Sequence, residues 1–209
     1  FAGGHAVSLL QGATIRESRG ILGAGTGWTP AAAADFNGDG KADVLLRHAD
    51  GTHVVLVMEG AAVARAFAML PPGSGWSVER IGDFDGDGRA DVLARNPAGT
   101  FATFLVDGFG VKTAAVVIPG SGYAPSLVAD FDGDGKSDLL WQEPGGSHVL
   151  WLMQRSTFKV AGQILPAGTG WTIPLAGDFN ADGRADVVIA RADGTHGIGL
   201  MNGISVTAS

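Results

Sequence analysis

Apolar residues along this chain come in short runs broken by Gly, Pro and Asp, and no window of eleven or more residues sustains a helical period. Around Asp43 the order is A-D-V-L-L-R, an A-D-G turn, T-H-V-V-L-V-M, a turn at Glu59 and Gly60, then V-A-R-A-F-A-M-L. A P-P-G-S-G turn at Pro71 to Gly75 leads into W-S-V-E-R-I-G. Runs this short, β-branched or alternating and bounded by turn formers, predict four strands per unit, paired as one antiparallel sheet of the propeller-blade type. The pattern then repeats. Aromatic anchors Trp28, Trp76, Tyr123 and Trp171 stand in the phrases G-T-G-W, G-S-G-W, G-S-G-Y and G-T-G-W, and His5, His53, Phe101, His148 and His196 each open an apolar stretch.

Between the anchor and the next apolar run lies the most informative phrase: D-F-N-G-D-G-K-A-D from Asp35, D-F-D-G-D-G-R-A-D from Asp83, D-F-D-G-D-G-K-S-D from Asp130 and D-F-N-A-D-G-R-A-D from Asp178. Carboxylate or amide oxygens fall at positions 1, 3, 5 and 9. That density suits a hard cation seeking six to eight oxygens. The predicted donors are Asp35, Asn37, Asp39 and Asp43; Asp83, Asp85, Asp87 and Asp91; Asp130, Asp132, Asp134 and Asp138; Asp178, Asn180, Asp182 and Asp186. Position 7, occupied by Lys41, Arg89, Lys136 or Arg184, is expected to offer its backbone carbonyl. Position 6 is always Gly, as a chain turning back around an ion requires. The loop is not an EF-hand, because position 12 holds Leu46, Ala94, Trp141 or Ile189 in place of a bidentate Glu. The expectation is four Ca2+ sites.

Loop starts are spaced 48, 47 and 48 residues apart, a period that signals stacked supersecondary units. Cut at the loops, the chain divides into a partial repeat 1–34, full repeats 35–82, 83–129 and 130–177, and a partial repeat 178–209. These features resemble the FG-GAP or VCBS-type repeats of integrin alpha-subunit propellers and of many secreted proteins, and D-F-D-G-D-G-R-A-D-V-L carries the resemblance most specifically. It implies calcium held at the blade loops by the positions named above, an extracellular setting, and adhesion or carbohydrate binding. Ala181 departs from the pattern, with Gly in the other three copies, and bears only on local backbone freedom. The fold expected is all-β: tandem four-stranded antiparallel blade-like repeats of about 48 residues, an open or linear array rather than a closed ring, since both ends fall in mid-repeat and eighteen strands fit neither four nor five closed blades.

Charge sharpens this picture. The formal net charge is −7, but the successive loops hold three, four, four and three acids, fourteen of the 21, and four bound Ca2+ would bring the total to +1. The basic residues are dispersed, so nucleic acid is excluded as a partner, and no apolar stretch is long enough for a membrane span. Cysteine is absent. The compartment argument comes from calcium: modules of this grade bind with Kd of roughly 10⁻⁴ to 10⁻³ M, which places the protein outside the cell, secreted or on a surface. No catalytic motif is present, so the protein is expected not to be an enzyme. Two roles follow: a structural or adhesive repeat protein whose partners are neighbouring repeats or copies of itself, or a glycan-binding module whose aromatic anchors stack on sugars instead of packing the core. Substitution of Phe101 into the His register argues for packing at those positions over metal ligation.

Overall fold

The computed structural model describes residues 4–118 and 122–208; Phe1, Ser209 and residues 120–121 of the third aromatic phrase lie outside them. Among the described residues there are eighteen strands and no helix. A two-stranded sheet pairs β1 (His5–Gln11) with β2 (Thr14–Leu22). Four antiparallel four-stranded sheets follow. They are β3 (Trp28–Ala34), β4 (Asp43–His48), β5 (His53–Glu59) and β6 (Ala62–Leu70); β7 (Ser77–Gly82), β8 (Asp91–Arg95), β9 (Phe101–Val106) and β10 (Val111–Ile118); β11 (Ala124–Ala129), β12 (Asp138–Gln142), β13 (His148–Gln154) and β14 (Thr157–Leu165); and β15 (Trp171–Gly177), β16 (Asp186–Arg191), β17 (His196–Asn202) and β18 (Ser205–Ala208). Each is a simple meander in chain order.

The sheets are cut from the chain one strand earlier than the loop-to-loop period. The aromatic anchor opens or immediately precedes the first strand, the aspartate loop joins first strand to second, and His53, Phe101, His148 and His196 open the third strand, as His5 opens β1. Two consequences follow for the chain ends. Sheet β15 to β18 is complete, and the pair β1–β2 has the third- and fourth-strand pattern only. Each first strand lies at a sheet edge, where β3, β11 and β15 carry Pro30, Pro125 and Pro174 beside a register shift, the place a residue without an N–H donor is tolerated.

The chain forms two compact units, Phe1–Ser77 with Val106–Lys112 and Val78–Leu105 with Thr113–Ser209. In the first, Leu46, Leu56 and Met58 pack with Val7, Ile21, Leu22 and Trp28, so β1–β2 closes over sheet β3 to β6. In the second, one core joins Phe84, Leu93, Phe101 and Leu105 to Leu139, Trp141 and Met153, and another joins Phe131, Leu140, Leu150 and Leu152 to Ile173, Val187 and Met201. Middle strands therefore read as continuous buried runs, β9 being buried throughout, and truncating one such Leu to Ala costs about 2–5 kcal/mol. The anchors Trp28, Tyr123 and Trp171 are half-buried against these cores, and Arg191 lies 4.3 Å over the Trp171 ring. His53, Phe101 and His148 are buried.

Candidate metal centre

Each aspartate loop is shaped by its own side chains. The position 1 carboxylate turns inward and gathers backbone amides: Asp35 accepts from Asn37, Gly38, Asp39 and Gly40, and Asp130 accepts from Gly133, Asp134 and Gly135. Such a nest of N–H groups needs a left-handed residue at position 6, and Gly40, Gly88, Gly135 and Gly183 have φ of 79, 80, 79 and 84°. The amide of Gly183 is the largest of several that hold the Asp178 carboxyl below its usual range. At position 4 Ala181 takes a φ of 61°, an unfavourable conformation for any residue with a Cβ, so the departure noted in the sequence is a point of backbone strain.

Position 9 ties the loop to its sheet. Asp43, Asp91, Asp138 and Asp186 are fully buried at the start of each second strand. One oxygen of Asp43 accepts the Phe36 amide at 3.0 Å and the other the Met58 amide on the third strand at 2.8 Å. Asp138 repeats the arrangement with Phe131 and Met153 at 2.8 and 2.7 Å, and Asp186 with Phe179 and Met201 at 3.0 and 2.8 Å. Burial pushes the Asp138 carboxyl up to about 7, against the pull of the Met153 and Phe131 amides and with help from the charges of Asp132 and Asp130. Burial also raises Asp43. A group so desolvated and faced by other carboxylates is stabilised in its charged form by a cation.

The second and third loops bring positions 1, 3 and 9 together: ligand oxygens of Asp83, Asp85 and Asp91 lie within 4.8 Å of one another, as do those of Asp130, Asp132 and Asp138. Asp132 Oδ1 is buried and has no hydrogen-bond partner, an orphaned acceptor that a hard cation would satisfy. The all-oxygen donor set fits Ca2+. In the first and fourth loops the third-position oxygen is engaged differently, with Asn37 Oδ1 and Asn180 Oδ1 each accepting the amide two residues on at 2.9 Å.

Position 5 stands apart from these clusters. Its Oδ1 accepts the position 7 amide in every loop, and its carboxylate meets the position 7 side chain: Asp39 with Lys41 at 3.6 Å, Asp87 with Arg89 at 2.9 Å, Asp134 with Lys136 at 3.3 Å and Asp182 with Arg184 at 3.8 Å. Sequence reasoning credited position 7 with a carbonyl and missed its ammonium or guanidinium. It also missed Lys159 on β14, whose Nζ lies 2.5 Å from Asp132 and 2.7 Å from Asp134 and whose pKa those two hydrogen bonds raise above the usual lysine value. The position 2 phenylalanines were the other omission. Phe36, Phe84 and Phe131 are wholly buried and plug each loop into the core, a role their recurrence beside the first aspartate signals.

Successive loops of the second unit are strung together. The Ser137 amide donates to Asp83 O at 2.6 Å and the Ala185 amide to Asp130 O at 2.7 Å, so each position 8 secures position 1 of the loop before it. An ordered loop in one sheet therefore orders its predecessor.

A comparison with curated proteins finds no match. The FG-GAP-like repeat matches residues 83–141 and 130–189, together half of the chain, and the FG-GAP repeat matches residues 26–57. Those spans hold all four aspartate loops, and the chain belongs to the FG-GAP repeat family.

Proposed function

We propose that this chain is a calcium-stabilised repeat module of an extracellular protein, with a structural or adhesive role and no catalytic one. The observation that carries the reading is the convergence of three carboxylates at the turn between first and second strands, with the ninth-position Asp bonded to both the loop and the third strand. A cation placed there would neutralise like charges and lock loop, second strand and third strand as one element. Family membership supports the repeat-module role. FG-GAP repeats are often adhesive or structural, are generally not enzymes, and are typical of extracellular proteins. No helix among the described residues is long and apolar enough to cross a membrane.

The partner proposed is another repeat of the same kind, supplied in the isolated chain by a second copy. Phe36, Phe84 and Phe131 are 0% exposed, whereas Phe179, which follows the first strand of the last sheet, is 50% exposed, and Leu175 and Ile198 of that sheet are exposed as well. Phe84 and Phe131 pack in cores that include residues of the next sheet, whereas their counterpart Phe179 is bare, and a bare apolar face of this kind marks an interaction surface. Sedimentation and particle imaging at millimolar calcium test the reading. Association that disappears on chelation and in Phe179→Lys supports it; a monodisperse monomer indifferent to both would remove the assembly role. The glycan alternative has its aromatics half-buried in packing, and no observation favours it.

A further inference from the structure

The four loops are not equivalent, and what distinguishes them lies outside the nonapeptide. The residue twenty-one positions after the ninth-position aspartate is Ala64, Lys112, Lys159 and Thr207 in the successive sheets. Position 3 of the same four loops is Asn37, Asp85, Asp132 and Asn180. Wherever the third position gains a carboxylate, the fourth strand of that sheet gains a lysine. In the third sheet the contact is explicit. Lys159 Nζ reaches Asp132 Oδ2 at 2.5 Å and Asp134 Oδ2 at 2.7 Å, leaving Asp132 Oδ1 buried and unpartnered.

The register explains why this position is the one used. Met153 pairs with Phe158 across β13 and β14, and Met153 is the residue whose amide Asp138 accepts, so position 159 is the next residue along the outer strand from the loop's own anchor. In the first sheet the same geometry pairs Met58 with Val63 and leaves Ala64, which is exposed and has no amine, at the equivalent place.

Resting on the calcium reading above, we propose that Lys159 is a built-in counter-cation of the third loop. It cancels the extra carboxylate of Asp132, holds that loop together without metal, and keeps its calcium affinity down to that of the asparagine loops. Counting Asp130, Asp132, Asp134 and Asp138 against Lys159, the third site carries the same net charge as the first, with Asp35, Asp39 and Asp43 beside neutral Asn37. An ammonium sharing carboxylates with a divalent ion repels it across a few ångströms, and ligand charge is what tunes affinity in such loops. The carboxylate count alone would rank the second and third loops tightest. Lys159 removes that advantage from the third.

The position 6 glycine amides give a reporter in each loop, since Gly40 and Gly135 donate to the first-position aspartate at 2.7 and 2.8 Å. Amide NMR of the intact chain during a calcium titration therefore reads every loop separately. In the parent chain the Gly135 midpoint falls close to the Gly40 midpoint. In Lys159→Met it moves to about tenfold lower calcium while Gly40 stays in place, and the metal-free protein melts lower than its parent. The transplant gives an independent arm: Asn37→Asp tightens the first loop, and Asn37→Asp with Ala64→Lys returns it to its starting value. A Gly135 midpoint that is unmoved or shifts to higher calcium in Lys159→Met overturns the proposal. If no position 6 amide responds to calcium in the parent chain, the calcium reading fails and this inference falls with it.

Discussion

The third loop and the first share seven of nine residues, both sit between first and second strands, and both are anchored by a buried ninth-position aspartate, yet they solve the problem of clustered charge differently. The first uses an amide at position 3, whose oxygen is spent on the Asp39 N–H. Its Lys41 turns to Glu59 at 3.1 Å as well as to Asp39. The third uses a carboxylate, leaves one oxygen of it unpartnered inside the cluster, and brings Lys159 from the outer strand to meet the other. A ligand motif fixes how many oxygens a loop offers. The sheet around it fixes how much charge the cation then meets, and this second quantity is set by residues far from the motif in sequence.

Removing calcium is the broadest way to break the comparison. The four proposed sites, each saturated some tenfold above Kd, would contribute a few kcal/mol together, so chelation is expected to lower Tm by on the order of ten degrees and calcium to restore it. The loops should not fail together. Hydrogen exchange in chelator is expected to be faster at Gly40 than at Gly135, because Lys159 still bridges Asp132 and Asp134 when the metal is gone. Equal exchange at the two glycines would show that the lysine holds nothing.

The ninth-position aspartates should behave alike in both loops. Asp43→Ala strips the acceptor from two buried amides, Phe36 and Met58, and Asp138→Ala does the same to Phe131 and Met153. Each orphaned donor costs about 1–3 kcal/mol, so each variant is expected to lose about 2–6 kcal/mol by denaturant unfolding without calcium, and more with it. Asp39→Ala removes a partly exposed carboxylate whose partners are the Lys41 amide and ammonium, and should cost much less than either. A loss in Asp138→Ala that appears only with calcium would make that residue purely a ligand.

How much of this was legible in the sequence depends on the range of the interaction. The loops, the strands and the His register were all readable because each is a local pattern repeated at fixed spacing, and the structure puts His5, His53, Phe101, His148 and His196 at the head of equivalent strands. Sheet phase was not readable. A periodic chain has no marked origin, and only hydrogen bonding shows that Ser77–Gly82 opens the next sheet instead of closing its own. The buried ties from Asp138 to Met153 and the ion pair from Lys159 to Asp132 span 15 and 27 residues, and they form only once the third and fourth strands are paired.

Acidity offers a subtler separation. Burial pushes the folded Asp138 carboxyl up to about 7, above the usual carboxylate range, so the metal-free fold binds that proton more tightly than the unfolded chain does. Its contribution is fully present below the unfolded pKa and is lost as pH rises through 7. In chelator, Tm is expected to fall by a few degrees between pH 5 and pH 8. Calcium binds the deprotonated form and should flatten or reverse the slope, so the calcium-induced rise in Tm grows with pH. A metal-free Tm that climbs over this interval would place the Asp138 titration elsewhere.

The smallest expected effect concerns position 4, where the fourth loop differs from the third. Ala181 holds a φ of 61°, and Gly133 holds 75° without a side chain to resist it. The left-handed conformation costs a residue with a Cβ about 1–2 kcal/mol, partly offset in Ala181→Gly by the extra freedom glycine gives the unfolded chain, so this variant should raise Tm by about a degree or two. Gly133→Ala is not simply the reverse. A Cβ built there would lie 3.3 Å from Arg184 Cγ and 3.5 Å from Gly183 O, so the substitution adds crowding against the next loop to the same backbone strain. The loss in Gly133→Ala should therefore exceed the gain in Ala181→Gly, and part of it should be recovered when Arg184 is shortened to Ala in the same chain. Equal and opposite shifts would mean that backbone strain alone distinguishes the two loops and that the contact between successive loops contributes nothing at this position.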